Sequence, residues 1–333
     1  MKTKFLLMSI FFVAFGCKKP ISTDAGQPAQ WGQQPELPVV NGEARFTLEA
    51  QDYFVNVMGN TLPRMPIFPA LQPKTGLVRG YVADLSGKPL QGATIGVRST
   101  ATGGYYSGVS AQTDAKGYYE LTVPWGAADF YAAGYTIDYG QGRVTMSLYS
   151  ADGKLESFPS KDGLVKNFVL LSYGVLNKDL AGQKPNDPTN YAGGSFYITY
   201  NVADPSSVYN PSTYIPDNAE IQVTLVPDGA GLYGEKKTFI ITKKASQLNY
   251  NFLVMNVPVG SYTLKANLKN GPQLRLEAVG RYASVSPYFG LKPISAVGSA
   301  QLLFTPDSQL SNSLTLPNRG NWGSLQIKVE LPQ

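Results

Sequence analysis

Residues 76–134 constrain this chain more than any other stretch, because their apolar side chains recur every second residue between tight turns. Val78, Gly80 and Val82 alternate, and Asp84-Leu85-Ser86-Gly87-Lys88-Pro89 then breaks the run. Ala93, Ile95 and Val97 alternate next, Thr113-Asp114-Ala115-Lys116-Gly117 turns again, and Tyr119, Leu121 and Val123 lead into Pro124-Trp125-Gly126. A period of two places one face of each run against a core and the other against water, the pattern of a strand and not of a helix. RVTMSLYS, an Ala151-Asp152-Gly153 turn and LVKNFVLL supply two further strands. The 34 glycines and 24 prolines among 333 residues fit a chain built from short strands and many turns.

The turn residues themselves form a pattern. Gly80, Val82, Asp84, Gly87, Lys88, Pro89, Leu90, Gly92 and Ala93 are followed by Thr113, Asp114, Gly117, Tyr119, Leu121, Val123, Pro124 and Gly126. This series resembles the carboxypeptidase regulatory-like domain over residues 76–172. The resemblance implies a seven-stranded β-sandwich of transthyretin type, and an accessory rather than catalytic module.

The remaining chain divides around that domain. Residues 41–75 open with EARFTLEAQDYFVNVMG, enough for one or two strands, and continue into TLPRMPIFPALQPKTG, whose prolines read as an extended linker lying against a surface. Residues 173–192 read as a linker. From 193 to 333, seven strand-like runs, GSFYITYNV, AEIQVTLVP, KKTFIITKK, LNYNFLVMNV, GSYTLKANL, AQLLFTP and GSLQIKVEL, predict a second sandwich. Val257-Pro258-Val259-Gly260 echoes the corner at 123–126, and 203–218 and 271–298 read as long loops. The expected fold is all-β, with two consecutive transthyretin- or immunoglobulin-like sandwiches.

The N-terminus is an address. Lys2 and Lys4 precede FLLMSIFFVAFG, an apolar run too short to span a bilayer, which ends at Cys17, the single cysteine. Residues 1–17 resemble a bacterial lipoprotein signal, with Phe15 standing where a small residue is usual. The resemblance implies cleavage before Cys17 and its acylation. Lys18 and Lys19 follow in place of the aspartate that retains lipoproteins in the inner membrane, so an outer-membrane location is expected. Residues 18–40 are polar and rich in Pro, Gly and Gln, the composition of a flexible tether. Removing Lys2 and Lys4 brings the formal charge from +5 to +3, with Lys and Arg scattered, which argues against nucleic acid as a partner.

Catalytic chemistry has little to stand on. The chain has no histidine, which excludes Ser-His-Asp triads, Cys-His dyads and His-ligated zinc. Gly229-Ala230-Gly231-Leu232-Tyr233-Gly234 fits a dinucleotide fingerprint, but a strand follows instead of a helix, so it reads as a hairpin loop. Asp84, Asp114, Asp152 and Asp228 sit in turns without the alternating series of a calcium loop. No cofactor or metal is expected. Aromatics in loops are the remaining lead: Tyr105 and Tyr106 in a Gly-rich loop, Trp125 at a turn, Tyr209 and Tyr214 in the 203–218 loop. Tyr131, Tyr135, Tyr139, Tyr288 and Phe289 belong to the same set. Such rings stack on sugars or anchor protein partners. The first expectation is therefore a non-enzymatic envelope lipoprotein with a structural or protein-interaction role. A carbohydrate-binding lipoprotein is the alternative, and a hydrolase with two carboxylates brought together in space is the third.

Overall fold

A computed structural model describes residues 31–100, 104–283, 287–307 and 311–333. Strands β1 (Glu43–Leu48) and β2 (Phe54–Asn56) come first. Nine strand segments follow: β3 (Leu77–Ala83), β4 (Thr94–Thr100), β5 (Tyr106–Gln112), β6 (Tyr118–Thr122), β7 (Ala127–Tyr139), β8 (Gly142–Ser150), β9 (Phe158–Pro159), β10 (Leu164–Val165) and β11 (Phe168–Leu170). Seven of these are three residues or longer, and β9 and β10 are two-residue pairings. The sheet runs β10-β3-β11-β8-β7-β4-β5, with β6 on β3 and β9 on β7. β8 changes partners along its length, pairing β7 through Ser147 and β11 from Leu148 onward, so one continuous sheet folds over itself. Val82, Ile95, Val97, Tyr119, Leu121, Phe130, Met146, Leu148 and Phe168 fill the space between its halves.

The motif residues have physical jobs in this sandwich. The Asp84 carboxylate accepts from the Ser86 and Lys88 amides, and that of Asp114 from the Lys116 and Tyr118 amides, so both acids close their turns. The buried Tyr119 hydroxyl donates to the Lys166 carbonyl at 2.7 Å. Gly80 faces the same carbonyl, and a Cβ there would lie 1.7 Å from its oxygen, so only glycine lets the two segments meet.

The second sandwich comprises β12 (Gly194–Thr199), β13 (Glu220–Pro227), β14 (Thr238–Lys244), β15 (Asn251–Val257), β16 (Ser261–Leu268), β17 (Arg275–Val279), β18 (Gly290–Lys292), β19 (Ser295–Val297), β20 (Ser299–Leu303), and β23 (Leu325–Glu330). A short β21–β22 pairing (Thr305–Pro306 with Trp322–Gly323) stands beside it. One sheet runs β1-β14-β13-β16-β20-β18 and the other β19-β17-β23-β12-β15-β2. Alternation drives the packing: Ile221, Val223 and Leu225 from one sheet meet the core that Phe196, Ile198, Val254, Ile327 and Val329 build from the other.

Two segments differ from their reading as connections, and the strands read in 41–75 have partners far along the chain. Strands β1 and β2 of the 41–75 segment pair in parallel with β14 and β15, so the second sandwich starts before the first and encloses it in sequence. Parallel pairing at long separation has no local signature. The 271–298 loop contains β17, β18 and β19, with Leu276 and Ala278 of β17 turned inward. Residues 173–192 hold a short helix, Lys178–Gln183, and bury Val175, Ala181 and Tyr191 against Leu253 and Met255. Within the expected tether, Trp31 packs on Phe68 and Tyr81 with ring centroids 5.6 and 5.5 Å away. Gln34, which exchanges bonds with the Ile67 backbone, and Leu37 dock the same described part, 31–40.

The two sandwiches share one core and are tied at a junction. Tyr139, at the end of β7, is buried; its hydroxyl donates to the Gly260 carbonyl and accepts from the Phe304 amide, both at 2.9 Å. Its ring meets Phe289 and Trp322, and Trp322 meets Phe304. Residues 311–321 then cross the first sandwich as a strap. Ala133 donates to the Thr315 carbonyl, the Ser147 hydroxyl to that of Leu316, and Asn318 exchanges bonds with Ser150. The backbone of Asn312 comes so close to Gly134 that a Cβ there would lie 2.9 Å away.

Candidate functional site

Four places gather side chains suited to binding. At one end of the first sandwich, the β6–β7 turn holds Trp125 outward and 71 % exposed. The turn is rigid because Gly126 and Ser160 bond each other twice: amide to hydroxyl at 3.0 Å, and amide to carbonyl at 2.9 Å. Trp125 borders an open groove of about 620 Å³, together with Thr100, Ala127, Phe158, Pro159 and Lys161. Tyr106 belongs to the same surface. It sits opposite Thr100, Thr100 opposite Ala127, and Ala127 opposite Pro159, so these four residues form one row across β5, β4, β7 and β9. Directly paired residues share a sheet face. The Arg98 guanidinium lies 4.8 Å from the Tyr106 ring centre and is held at 2.9 Å by Asp129. Tyr105 stands beside Tyr106, 80 % exposed. The structure therefore brings Tyr105, Tyr106 and Trp125 to one end.

Tyr209 and Tyr214 lie elsewhere, on the 203–218 loop of the second sandwich. This loop lacks regular structure but is internally braced. Asp204 accepts from the Ser206 amide and hydroxyl, which hold its carboxyl below the ordinary range. Asn210 accepts from the Asp204 amide and donates to the Asp204 and Ser207 carbonyls. The brace lifts Val208 and Tyr209 out, 88 and 89 % exposed. Gln247, which bonds Asp204, brings the β14–β15 turn alongside with exposed Leu248 and Tyr250. Tyr214 is half-buried.

The Asp204 end is acidic. Asn249 of the β14–β15 turn donates to the Ala50 carbonyl, which sets the turn bearing Glu49 and Asp52 alongside. Lys243 is buried there, its ammonium absorbed by the carbonyls of Glu49, Ala50 and Asp52 at 2.5, 2.9 and 2.7 Å. Burial pulls the Lys243 pKa down, against the opposing pull of Asp52 and Glu49.

Two further sites were not anticipated. A cleft of about 430 Å³ at the junction is bordered by Asp138, Gly231, Ser261, Lys292 and Gln301. Beside it, Asp228 accepts from the Ser261 and Thr263 hydroxyls at 2.7 and 2.5 Å. Burial pushes the Asp228 carboxyl up, but the hydrogen bonds from Ser261, Thr263 and Gln301 outweigh it and leave the pKa lowered. A polar crevice of about 970 Å³ runs between Asp152–Glu156, the 177–190 segment and the strap. Each combines segments far apart in the chain, and no local pattern announces them. Asp228 differs from the turn-forming acids in reaching across to β16.

Tyr139 and Phe289, read as exposed candidates, are instead packed together at the junction, because residues 288–304 fold over the β7–β8 hairpin. Residues 229–234 form the β13–β14 connection, with Glu235 accepting from the Tyr233 amide. Among the described residues no group of three or more His, Cys, Asp or Glu could hold a metal ion, and no helix is long and apolar enough to cross a membrane. Cys17 lies outside the described residues.

No protein-family model matches the chain, and no curated protein matches it. Among solved structures, the Bacillus anthracis TIE protein is similar at 16% identity and a TM-score of 0.23, over 59% of this chain and 29% of that one. GBS52, the minor pilin of Streptococcus agalactiae, gives 10% identity and a TM-score of 0.24, over 78% and 98%. A streptococcal ancillary pilin gives 12% and 0.21, over 74% and 62%. This chain spans about three tenths of the length of the first. Strand pairing and core composition, not these likenesses, define the class: an all-β protein of two β-sandwiches.

Proposed function

We propose that the chain is a non-enzymatic protein of the cell envelope, anchored to the outer membrane through lipid on Cys17, and that its double sandwich docks a protein partner. The observation that carries the docking role is the braced loop at 203–210. Val208 and Tyr209, with Leu248 and Tyr250 beside them, are large apolar side chains on a rigid support, the arrangement of an interface anchor. Asp204 in the loop and the adjoining turn with Glu49 and Asp52 favour a partner whose apolar pocket carries Lys or Arg, and disfavour an anionic lipid surface. The roles of Gly80, Asp84, Asp114 and Tyr119 support reading 76–172 as a carboxypeptidase regulatory-like scaffold.

A photo-crosslinking residue at position 209, introduced into the full chain in cells, tests the docking role. A single envelope-protein adduct that disappears in a Val208→Ser/Leu248→Ser background is the expected result; adducts that persist unchanged would defeat it. Cys17→Ser should move the protein from the membrane to the soluble fraction, and retention in the membrane would remove the anchor from the proposal.

A further inference from the structure

The Trp125 end carries a second, independent site, and we infer that it binds an acidic polysaccharide through a uronate-bearing segment. Three features converge there. The first is an exposed aromatic surface: Trp125 borders the groove, and Tyr106 stands in the same sheet row as the groove's Thr100 and Ala127. At about 4.8 Å between strands, the row from Tyr106 through Thr100 and Ala127 to Pro159 extends roughly 14 Å, the reach of a short oligosaccharide. Thr100 and Ala127 are small, so nothing in the middle of the row stands in the way of a ring lying flat.

The second feature is chemical fit. An aromatic face is electron-rich and accepts the slightly positive C–H face of a pyranose, while the hydroxyls around the ring edge need planar donors and acceptors nearby. The Arg98–Asp129 pair offers both, fixed in place by its 2.9 Å contact and by the Tyr106 ring.

The third feature is charge. Arg98 is neutralised by Asp129. Among the described residues, Lys161 is the sole charged residue lining the groove, and no carboxylate pairs with it. The groove's uncompensated charge is therefore positive, and it complements a sugar carboxylate. A single-stranded nucleic acid also stacks on aromatics, but it requires a basic track along its backbone, and one lysine does not make one.

The test is binding of the full chain, kept in detergent, to four probes: polygalacturonate, its methyl-esterified form, a neutral β-glucan and an oligothymidylate. Polygalacturonate should bind most tightly and weaken as salt rises. Trp125→Ala should weaken it at least tenfold, Trp125→Phe should largely restore it, and Tyr106→Ala should weaken it several-fold. Lys161→Gln should weaken polygalacturonate about tenfold while leaving the weaker binding of the esterified polymer unchanged. Val208→Ser/Tyr209→Ser, at the far loop, should leave all four values unaltered, which separates this site from the protein-docking proposal. Equal binding of esterified and free polymer would overturn the acidic specificity. Wild-type binding by Trp125→Ala, tighter binding of the oligothymidylate, or no binding of either galacturonate polymer would overturn the site itself.

Discussion

Single residues set limits that their neighbours cannot relax. Gly80 is such a case: a methyl group there overlaps the Lys166 carbonyl, and both segments are pinned by backbone pairing and by Tyr119. Gly80→Ala should lower the stability by about 3 kcal/mol or more, measured by denaturant unfolding, and a loss within about 0.5 kcal/mol would show that the segments can part. Lys243 is a second. Replacing its ammonium with the methyl end of Met removes the partner that the carbonyls of Glu49, Ala50 and Asp52 share at the buried end of this side chain. Lys243→Met should cost on the order of 3 kcal/mol, with the loss of exchange protection concentrated at β1 and β2. Gly80 stands in the recognisable turn pattern, but nothing in the sequence marks Lys243. The Asp84 and Asp114 turns, by contrast, are legible because the acid and the amides it binds lie within four residues of each other.

At the scale of elements, the strap and the aromatic junction decide how the sandwiches behave. Tyr139 links them through one hydroxyl with two partners, Gly260 and Phe304. Tyr139→Phe keeps the ring stack but strands the buried Phe304 amide and the half-buried Gly260 carbonyl, a loss of about 2 kcal/mol. Amide exchange at Phe304 should rise in that variant while exchange in β4 and β13 stays slow. Uniform acceleration everywhere would mean that Tyr139 serves overall stability and not the joint. The Asn318 side chain closes a two-way bond with Ser150 across the strap, so Asn318→Ala should free 311–321 to proteolysis without unfolding either sheet.

For the whole molecule, the shared core predicts one cooperative transition. The apolar cluster runs without a break from Val82 and Phe168 in the first sandwich to Phe196 and Ile327 in the second. Calorimetry should show a single peak, and two resolved peaks would establish independent domains. The buried tyrosines add a pH dependence. Burial and the neighbouring Glu120 carboxylate push Tyr118 up to about 12, and burial raises Tyr119, Tyr139, Tyr233 and Tyr262 as well. A raised folded pKa means that the unfolded chain releases its proton first, near the ordinary value of 10.0. The stabilisation is therefore complete below pH 10 and is lost as pH climbs toward 12. Phenolate absorbance should appear together with loss of strand structure; tyrosines that ionise smoothly near 10 with the fold intact would contradict this. By itself, the sequence determined many of the strands, their turns and the all-β class, because period-two alternation and turn chemistry act over a few residues. It also singled out Trp125, Tyr106 and Tyr209 as ring-bearing turns. Only the tertiary structure decided that Trp125 and Tyr106 share a face while Tyr209 stands apart, that Tyr139 is buried, and that β1 and β2 close the edges of the second sandwich. Those outcomes depend on contacts between segments up to about two hundred residues apart, such as Lys243 with the 49–52 turn, and side-chain period carries no record of them.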